Sequence, residues 1–250
     1  MAGNRGCALV VGASTGIGRA LVLELARKGY RVAAVARRAA ELESLRAAAD
    51  QAAGGAVVFV YPHDVVDYAA TPELFDRIVA DLGGLDTVVY AAGVLPKIER
   101  DEYSFAKDRA ILEVNLLGAV AWLDCAAVKF AKQRSGTICG ISSIAGDRGR
   151  RAFPAYHAAK AGLSTFLEAL RNRLAPFNVS VVTIKPGFVD TAMTKGLKGL
   201  FWVISAETAA ATIVRHVEAR AHTKYVPARW GLVSLVIRSI PSFIFRRLDL

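Results

Sequence analysis

Residues 7–38 read C-A-L-V-V-G-A-S-T-G-I-G-R-A-L-V-L-E-L-A-R-K-G-Y-R-V-A-A-V-A-R-R, and this stretch decides the fold. Its two short runs, Cys7–Val11 and Arg31–Ala36, are apolar almost throughout, as strands buried on both faces are. Between them, residues 19–28 space their leucines and alanines as a helix does. Strand, loop, helix and second strand in about thirty residues make a βαβ unit. In the loop, Gly12, Gly16 and Gly18 permit a tight turn and a close backbone approach. With Ser14, Thr15 and Ile17 they open the helix, whose first N–H groups and positive dipole end suit a pyrophosphate. A glycine-rich loop alone is a weak signal; the strand–loop–helix setting gives it meaning.

The same rhythm continues outward. Further β-branched runs occur at 57–61, 87–91, 136–142, 179–185 and 224–226, and helical spacing recurs at 39–53, 72–82 and 162–174. The pattern predicts a doubly wound (Rossmann) α/β fold in one domain over 1–250, its parallel seven-stranded sheet covered by helices on both faces. Two regions depart from the rhythm. Residues 191–205 read as a loop or lid, and residues 230–250 are apolar with basic punctuation.

Composition narrows the function. The chain has 32 basic and 22 acidic residues, a net charge of +10. The basic residues are scattered, not striped along one helix with interleaved aromatics, which argues against nucleic acid. An anionic cofactor or membrane surface accounts for the excess. Cys7, Cys125 and Cys139 are far apart in apolar runs, as buried thiols of a reducing compartment are. No cysteine or histidine spacing suits a metal. Residues 1–6 lead into the first strand with no secretory apolar region, so a cytoplasmic protein is expected.

At the end of the second strand, where NAD enzymes place an acid for the ribose hydroxyls, stand Ala36, Arg37 and Arg38. Two guanidiniums there suit a 2′-phosphate, which favours NADP(H) and leaves NAD possible. Asp64, after the third strand, is placed to meet the adenine. Tyr156 and Lys160 stand four apart, on one face of a helix. An ammonium beside a phenol favours phenolate and brings its pKa towards the working range. Just before them the strand G-T-I-C-G-I-S-S ends in Ser142 and Ser143, at the sheet edge where ligands bind.

With these motifs in place, the chain resembles the short-chain dehydrogenase/reductases over nearly its whole length. The resemblance prefers Ser143, 13 residues before Tyr156, over Ser142. It implies that Tyr156 protonates the carbonyl oxygen, Lys160 holds the nicotinamide ribose, Ser143 polarises the substrate and Asn115, in V-N-L-L-G, organises a proton relay. It also implies that Pro186, Gly187, Val189 and Thr191 meet the nicotinamide, and Ala92 and Gly93 the adenosine side. Where the family commonly has Asn-Asn-Ala-Gly, this chain has Tyr90-Ala91-Ala92-Gly93, so hydrogen bonds that tie this turn are expected to be missing. The implied activity is reduction of a ketone to a secondary alcohol by a homo-oligomer, a dimer or tetramer. A non-catalytic NADP sensor is the alternative of another class, and the joint presence of Tyr156 and Lys160 argues against it.

Two segments bear on the substrate. Arg148, Arg150 and Arg151 lie beside the catalytic strand and could bind a phosphate. Residues 232–245 are apolar except for Ser234, Arg238 and Ser242, which form one narrow stripe. This run is too short to span a bilayer; it suits a membrane interface on the inner face, a lipid-like substrate or a subunit contact. Both segments resemble those of reductases acting on decaprenylphosphoryl-2-keto-pentose, which implies a lipid-linked ketone. A long-chain keto-lipid, a steroid-like ketone and a small soluble carbonyl compound are the other substrates considered.

Overall fold

The computed structural model describes residues 5–99, 101–196 and 199–248. Along the chain run β1 (Cys7–Val11), α1 (Gly16–Arg27), β2 (Arg31–Ala36), α2 (Ala39–Ala53), β3 (Val58–Pro62), α3 (Thr71–Leu82) and β4 (Thr87–Tyr90). Then come α4 (Phe105–Leu112), a π-helical turn (Glu113–Leu117), α5 (Gly118–Gln133), β5 (Thr137–Ile141), a 3₁₀ turn (Ile144–Asp147) and α6 (Pro154–Leu174). The last part holds β6 (Ser180–Pro186), β7 (Val189–Asp190), β8 (Ile204–Ser205), α7 (Ala206–Glu218), β9 (Thr223–Val226), α8 (Trp230–Ser239) and α9 (Ser242–Phe245).

Seven strands form one parallel sheet in the order β3-β2-β1-β4-β5-β6-β9. Strand order reverses between β1 and β4, and this switch opens a crevice beyond the carboxyl ends of the strands. Every residue of β1 is buried because both faces are covered. Ala8 and Val10 pack with Leu21 and Leu25 of α1, Leu42 and Leu45 of α2, and Ile213 of α7. Leu9 and Val11 share the opposite core with Phe75 of α3, Trp122 of α5 and Leu167 of α6.

The predicted strands lie within a residue or two of those observed. The predicted helix at 162–174 reaches back to Pro154, whose ring suits a first helical position. This extension puts Tyr156 and Lys160 on α6. The segment Phe105–Gln133 is long and apolar enough to cross a membrane by length and composition alone. Trp122, Leu123, Ala126 and Phe130 are nevertheless fully buried against the sheet, which makes it a core element. Within 191–205, Ile204–Ser205 is a short strand paired with Val189–Asp190, which ties the two ends of the expected loop together. All three cysteines are free, Cys7 and Cys139 buried and Cys125 partly so.

Candidate active site

The carboxyl end of β5 separates two adjacent serines. Ser142 is buried, and its Oγ hydrogen-bonds to the Lys160 carbonyl at 2.9 Å and to Ser164 Oγ at 2.7 Å. Ser143 has extended backbone; its Oγ accepts from the Ala145 N–H at 3.0 Å, and its hydroxyl acts on the Tyr156 phenol in favour of the ionised form. Tyr156 sits in the first turn of α6. Lys160, one turn on, is 4% exposed and donates from Nζ to the Ile141 carbonyl at 2.9 Å. That ammonium is 5.7 Å from the centre of the Tyr156 ring. Asn115 lies in the π-helical turn, a distortion that recurs at functional sites. Its amide holds both backbone groups of one residue, accepting from Val94 N–H at 2.7 Å and donating to Val94 carbonyl at 2.9 Å. A Cβ on Gly93 would stand 3.3 Å from Asn115 Oδ1, 3.8 Å from Lys160 Nζ and 3.8 Å from Met193 Cε. Four distant segments thus converge on one crevice.

Burial pushes the Tyr156 phenol upward; Ser143 and the Arg150 guanidinium oppose that rise. Burial also pulls Lys160 down to about 8. Its ammonium lies on the Ile141 carbonyl, so in this structure Ser143 and Arg150 act on the phenol in the sense expected of Lys160.

The opposite side of the crevice is shaped for a dinucleotide. Gly12 has φ of 92°, and a Cβ there would stand 2.3 Å from the Ala92 nitrogen. A Cβ on Gly18 would stand 2.0 Å from the Gly12 carbonyl oxygen, so this cradle admits only bare backbone. No side chain caps the first turn of α1, since Thr15 makes no such bond. Gly16, at φ 54°, lies under Thr191, with 3.1 Å from its would-be Cβ to Thr191 Cγ2. Arg38 Nη2 donates to Ser14 Oγ at 3.1 Å. Arg37 Nη1 is 3.6 Å from Asp64 Oδ2, and both side chains are exposed. The bare cradle, the uncapped helix end and the basic end of β2 fit a nicotinamide dinucleotide.

A family model described as short chain dehydrogenase matches residues 6–199. The chain belongs to the short-chain dehydrogenase family. Its members are oxidoreductases that use a nicotinamide nucleotide. An uncharacterised oxidoreductase of Myxococcus xanthus is 42% identical over 187 residues, 75% of this chain and 73% of that protein. The human 3-oxoacyl-(acyl-carrier-protein) reductase is 37% identical over 193 residues, 76% of this chain and 78% of its own. A Sinorhizobium meliloti structure assigned to the short-chain alcohol dehydrogenases superposes with a TM-score of 0.80 at 27% identity. It covers 89% of this chain and 94% of that one.

Against this short-chain dehydrogenase background, the turn after β4 is tied in another way than expected. Tyr90 is fully buried, and its hydroxyl donates to the Val114 carbonyl at 2.6 Å. A Cβ on Gly118 would stand 2.7 Å from that hydroxyl, so glycine makes the contact possible. Together with the Asn115–Val94 pair, this bond joins the turn to the π-helical segment. The side chains absent from the turn are replaced from β4 and from Asn115.

The three arginines after β5 part company. Arg148 Nη1 donates to the carbonyls of Ile237 at 2.6 Å and Ile240 at 2.5 Å, and its guanidinium lies 3.9 Å from the centre of the Phe245 ring. Arg151 Nη2 donates to the Arg246 carbonyl at 2.8 Å. Both hold the C-terminal segment. Arg150 makes no such bond among the described residues, and its charge acts on the Tyr156 phenol.

Several residues of the site carry no motif. Asp147 Oδ1 is paired with the Lys185 ammonium, and its Oδ2 accepts from Ser234 Oγ at 2.7 Å and Tyr225 hydroxyl at 3.0 Å. Ser234 is therefore buried, and the polar stripe of residues 232–245 turns inward there. Trp230 lies on Gly187, where a Cβ would be 2.0 Å from the indole Nε1, and its ring packs with Phe188, Phe201 and Trp202. Pro186 ends β6, and Val189 is buried in β7.

Proposed function

We propose that the chain is an NADP(H)-dependent reductase that turns a ketone into a secondary alcohol, with Tyr156 as the proton donor. The observation that carries this reading is the placing of Ser143 at the end of β5 and of Tyr156 and Lys160 one turn apart on α6, with the ammonium 5.7 Å from the phenol ring centre, at the sheet edge facing the glycine cradle. The bound nicotinamide supplies hydride. Ser143 holds the carbonyl oxygen within reach of the phenol, and Tyr156 gives its proton to that oxygen as negative charge develops there. Lys160 stabilises the tyrosinate that results and holds the ribose, while Asn115 keeps the Val94 peptide in place beside it. Arg37 and Arg38 grip the 2′-phosphate, and Asp64, 3.6 Å from Arg37, orients that guanidinium beside the adenine. Gly12, Gly16 and Gly18 receive the pyrophosphate with Ser14, Thr15 and Ile17. Ala92, Gly93, Pro186, Gly187, Val189 and Thr191 line the remainder.

Tyr156→Phe removes only the transferable proton. NADPH oxidation with any accepted ketone should fall by about a thousandfold or more, while NADPH binding stays within about twofold. A variant that retains a few per cent of turnover rules out the assignment. Arg37→Ala with Arg38→Ala should weaken NADPH far more than NADH, by about tenfold or more; equal losses would withdraw the 2′-phosphate role.

The substrate is proposed to carry an apolar chain, a lipid-linked keto-sugar being one such molecule. The human relative is, by its name, a reductase of 3-oxoacyl chains. On α8 and α9, Leu232, Leu235, Val236 and Phe243 are 71, 64, 62 and 59% exposed, and Arg229, Arg238, Arg246 and Arg247 surround them in the open. Two copies of so basic a face repel one another, whereas an anionic lipid surface attracts it. The segment is accordingly proposed to rest on a membrane interface at the cytoplasmic side. Co-sedimentation with phosphatidylglycerol vesicles and not phosphatidylcholine vesicles is expected, and Leu235→Ser with Val236→Ser should abolish it. A dimer that dissociates in this variant, with no vesicle binding by the parent, would assign the face to a second subunit.

A further inference from the structure

We infer that the substrate carries an oxyanion, a carboxylate or a phosphate, within a few bonds of its carbonyl carbon, and that Arg150 binds it beside Tyr156. The inference rests on the reductase reading and adds a second anchor to its site.

Between Ile141 and Lys160 the chain carries four cationic side chains and one acidic one. Three of the cations are accounted for. Arg148 and Arg151 are bound to backbone carbonyls of the C-terminal segment, and Lys160 to that of Ile141. The one acid, Asp147, uses both oxygens on Lys185, Ser234 and Tyr225. Arg150 is left over. Its Nε is buried and has no hydrogen-bond partner among the described residues. Arg150 stands between the 3₁₀ turn that follows Ser143 and the first turn of α6 that carries Tyr156, which puts it at the reacting end of the crevice, and its charge acts on the phenol. Burial pulls its pKa down, though an arginine remains charged there.

A buried donor without a partner is costly, and more so on a charged group such as the Arg150 Nε–H. Such a group is retained where a ligand completes it. Its planar fork matches the two oxygens of a carboxylate or phosphate, which no neutral group of comparable size does as well. Two contacts, Ser143 and Tyr156 on the carbonyl and Arg150 on the oxyanion, would fix which face of the ketone meets the hydride.

Two ketone pairs test this: 4-oxododecanoate against its methyl ester, and 2-oxoundecyl phosphate against 1-hydroxy-2-undecanone. The parent protein should prefer the anionic member in kcat/KM by about 10–100-fold, the range for a charge-assisted bond. The pair with the larger ratio identifies the oxyanion. In Arg150→Gln that ratio should fall towards one, mainly through KM, whatever the absolute rates, and Arg150→Lys should keep part of it. A ratio unchanged in Arg150→Gln, with both ketones slowed alike and the pH profile moved, would overturn the inference and leave Arg150 as a tuner of Tyr156. Turnover of the neutral ketones without any preference in the parent would overturn it and leave the reductase reading intact. If neither member reacts in protein that binds NADPH, the reductase reading fails. Calorimetric binding of 4-oxododecanoate but not its ester, lost in Arg150→Gln, then upholds the anion site on its own; equal binding of the two overturns it.

Discussion

On the β1–β4 side of the crevice, the contacts that set the geometry run from backbone to backbone. Gly12 presses on Ala92, and Gly18 on the carbonyl of Gly12. On the β5–β9 side they start from side chains and reach partners far apart in sequence: Asp147 to the Ser234 hydroxyl across 87 residues, Arg148 to the Ile240 carbonyl across 92. The first side tolerates no side chain where the cofactor lies but depends on few. The second is an assembly of paired charges that a single truncation opens. A cofactor shared by a whole family asks for a fixed cradle, whereas a substrate peculiar to one member asks for exchangeable side chains.

This contrast can be broken in four places. The largest effect should come from Asp147→Ala, which strands the largely buried Lys185 ammonium and unties Tyr225 and Ser234. A stability loss of about 3–5 kcal/mol is expected by denaturant titration. Ser14→Ala on the other side should cost no more than about 1 kcal/mol, and comparable losses would erase the distinction. Next comes Gly12→Ala, whose new methyl would meet the Ala92 backbone at 2.3 Å from a left-handed φ. A loss of about 2–4 kcal/mol and of measurable NADPH binding is expected by fluorescence titration; a variant with parental affinity would mean that the cradle yields.

Arg148→Ala removes the charge-assisted bonds to Ile237 and Ile240 and the contact with Phe245. It should cost about 2 kcal/mol and expose α9 to limited proteolysis, with the sheet still protected from hydrogen exchange. The smallest effect concerns pH. With Lys160 at about 8 in the folded protein, the ammonium is half lost at that pH, and activity that needs it should halve there and continue to fall above. Stability moves the other way. Between about 8 and the ordinary lysine value the unfolded chain holds one proton more, so this group adds stability as pH rises through that window. A Lys160 side-chain resonance titrating near 10.5 in the ligand-free protein would refute both statements.

Much of the first side was legible because its signals are local. The strand at Cys7–Val11, the loop glycines and the arginines after β2 need no knowledge of distant residues. A strand end and a helix face brought Ser142, Ser143 and Tyr156 into view for a similar reason, and the choice of Ser143 came from the family resemblance. The second side was not. Nothing near Asp147 announces Ser234, and the stripe of Ser234, Arg238 and Ser242 gave no sign of which side of α8 faces inward. The sense of the three arginines was equally hidden: side by side in sequence, they separate only when the C-terminal segment returns over them. The π-helical turn around Asn115, between α4 and α5, has no local signal either, and it is the buried Tyr90 that holds it.

The bonds from Arg148 and Arg151 to the C-terminal segment end on main-chain carbonyls, those of Ile237, Ile240 and Arg246. A clasp that grips peptide oxygens is indifferent to the side chains on the far side of the helix it holds. Residues 232, 235, 236 and 243 can therefore be exchanged wholesale, for charge, for bulk or for a chemical tag, with the clasp left closed. The segment behaves as a replaceable sole on a fixed last, and its outward character is free to be chosen apart from the reaction.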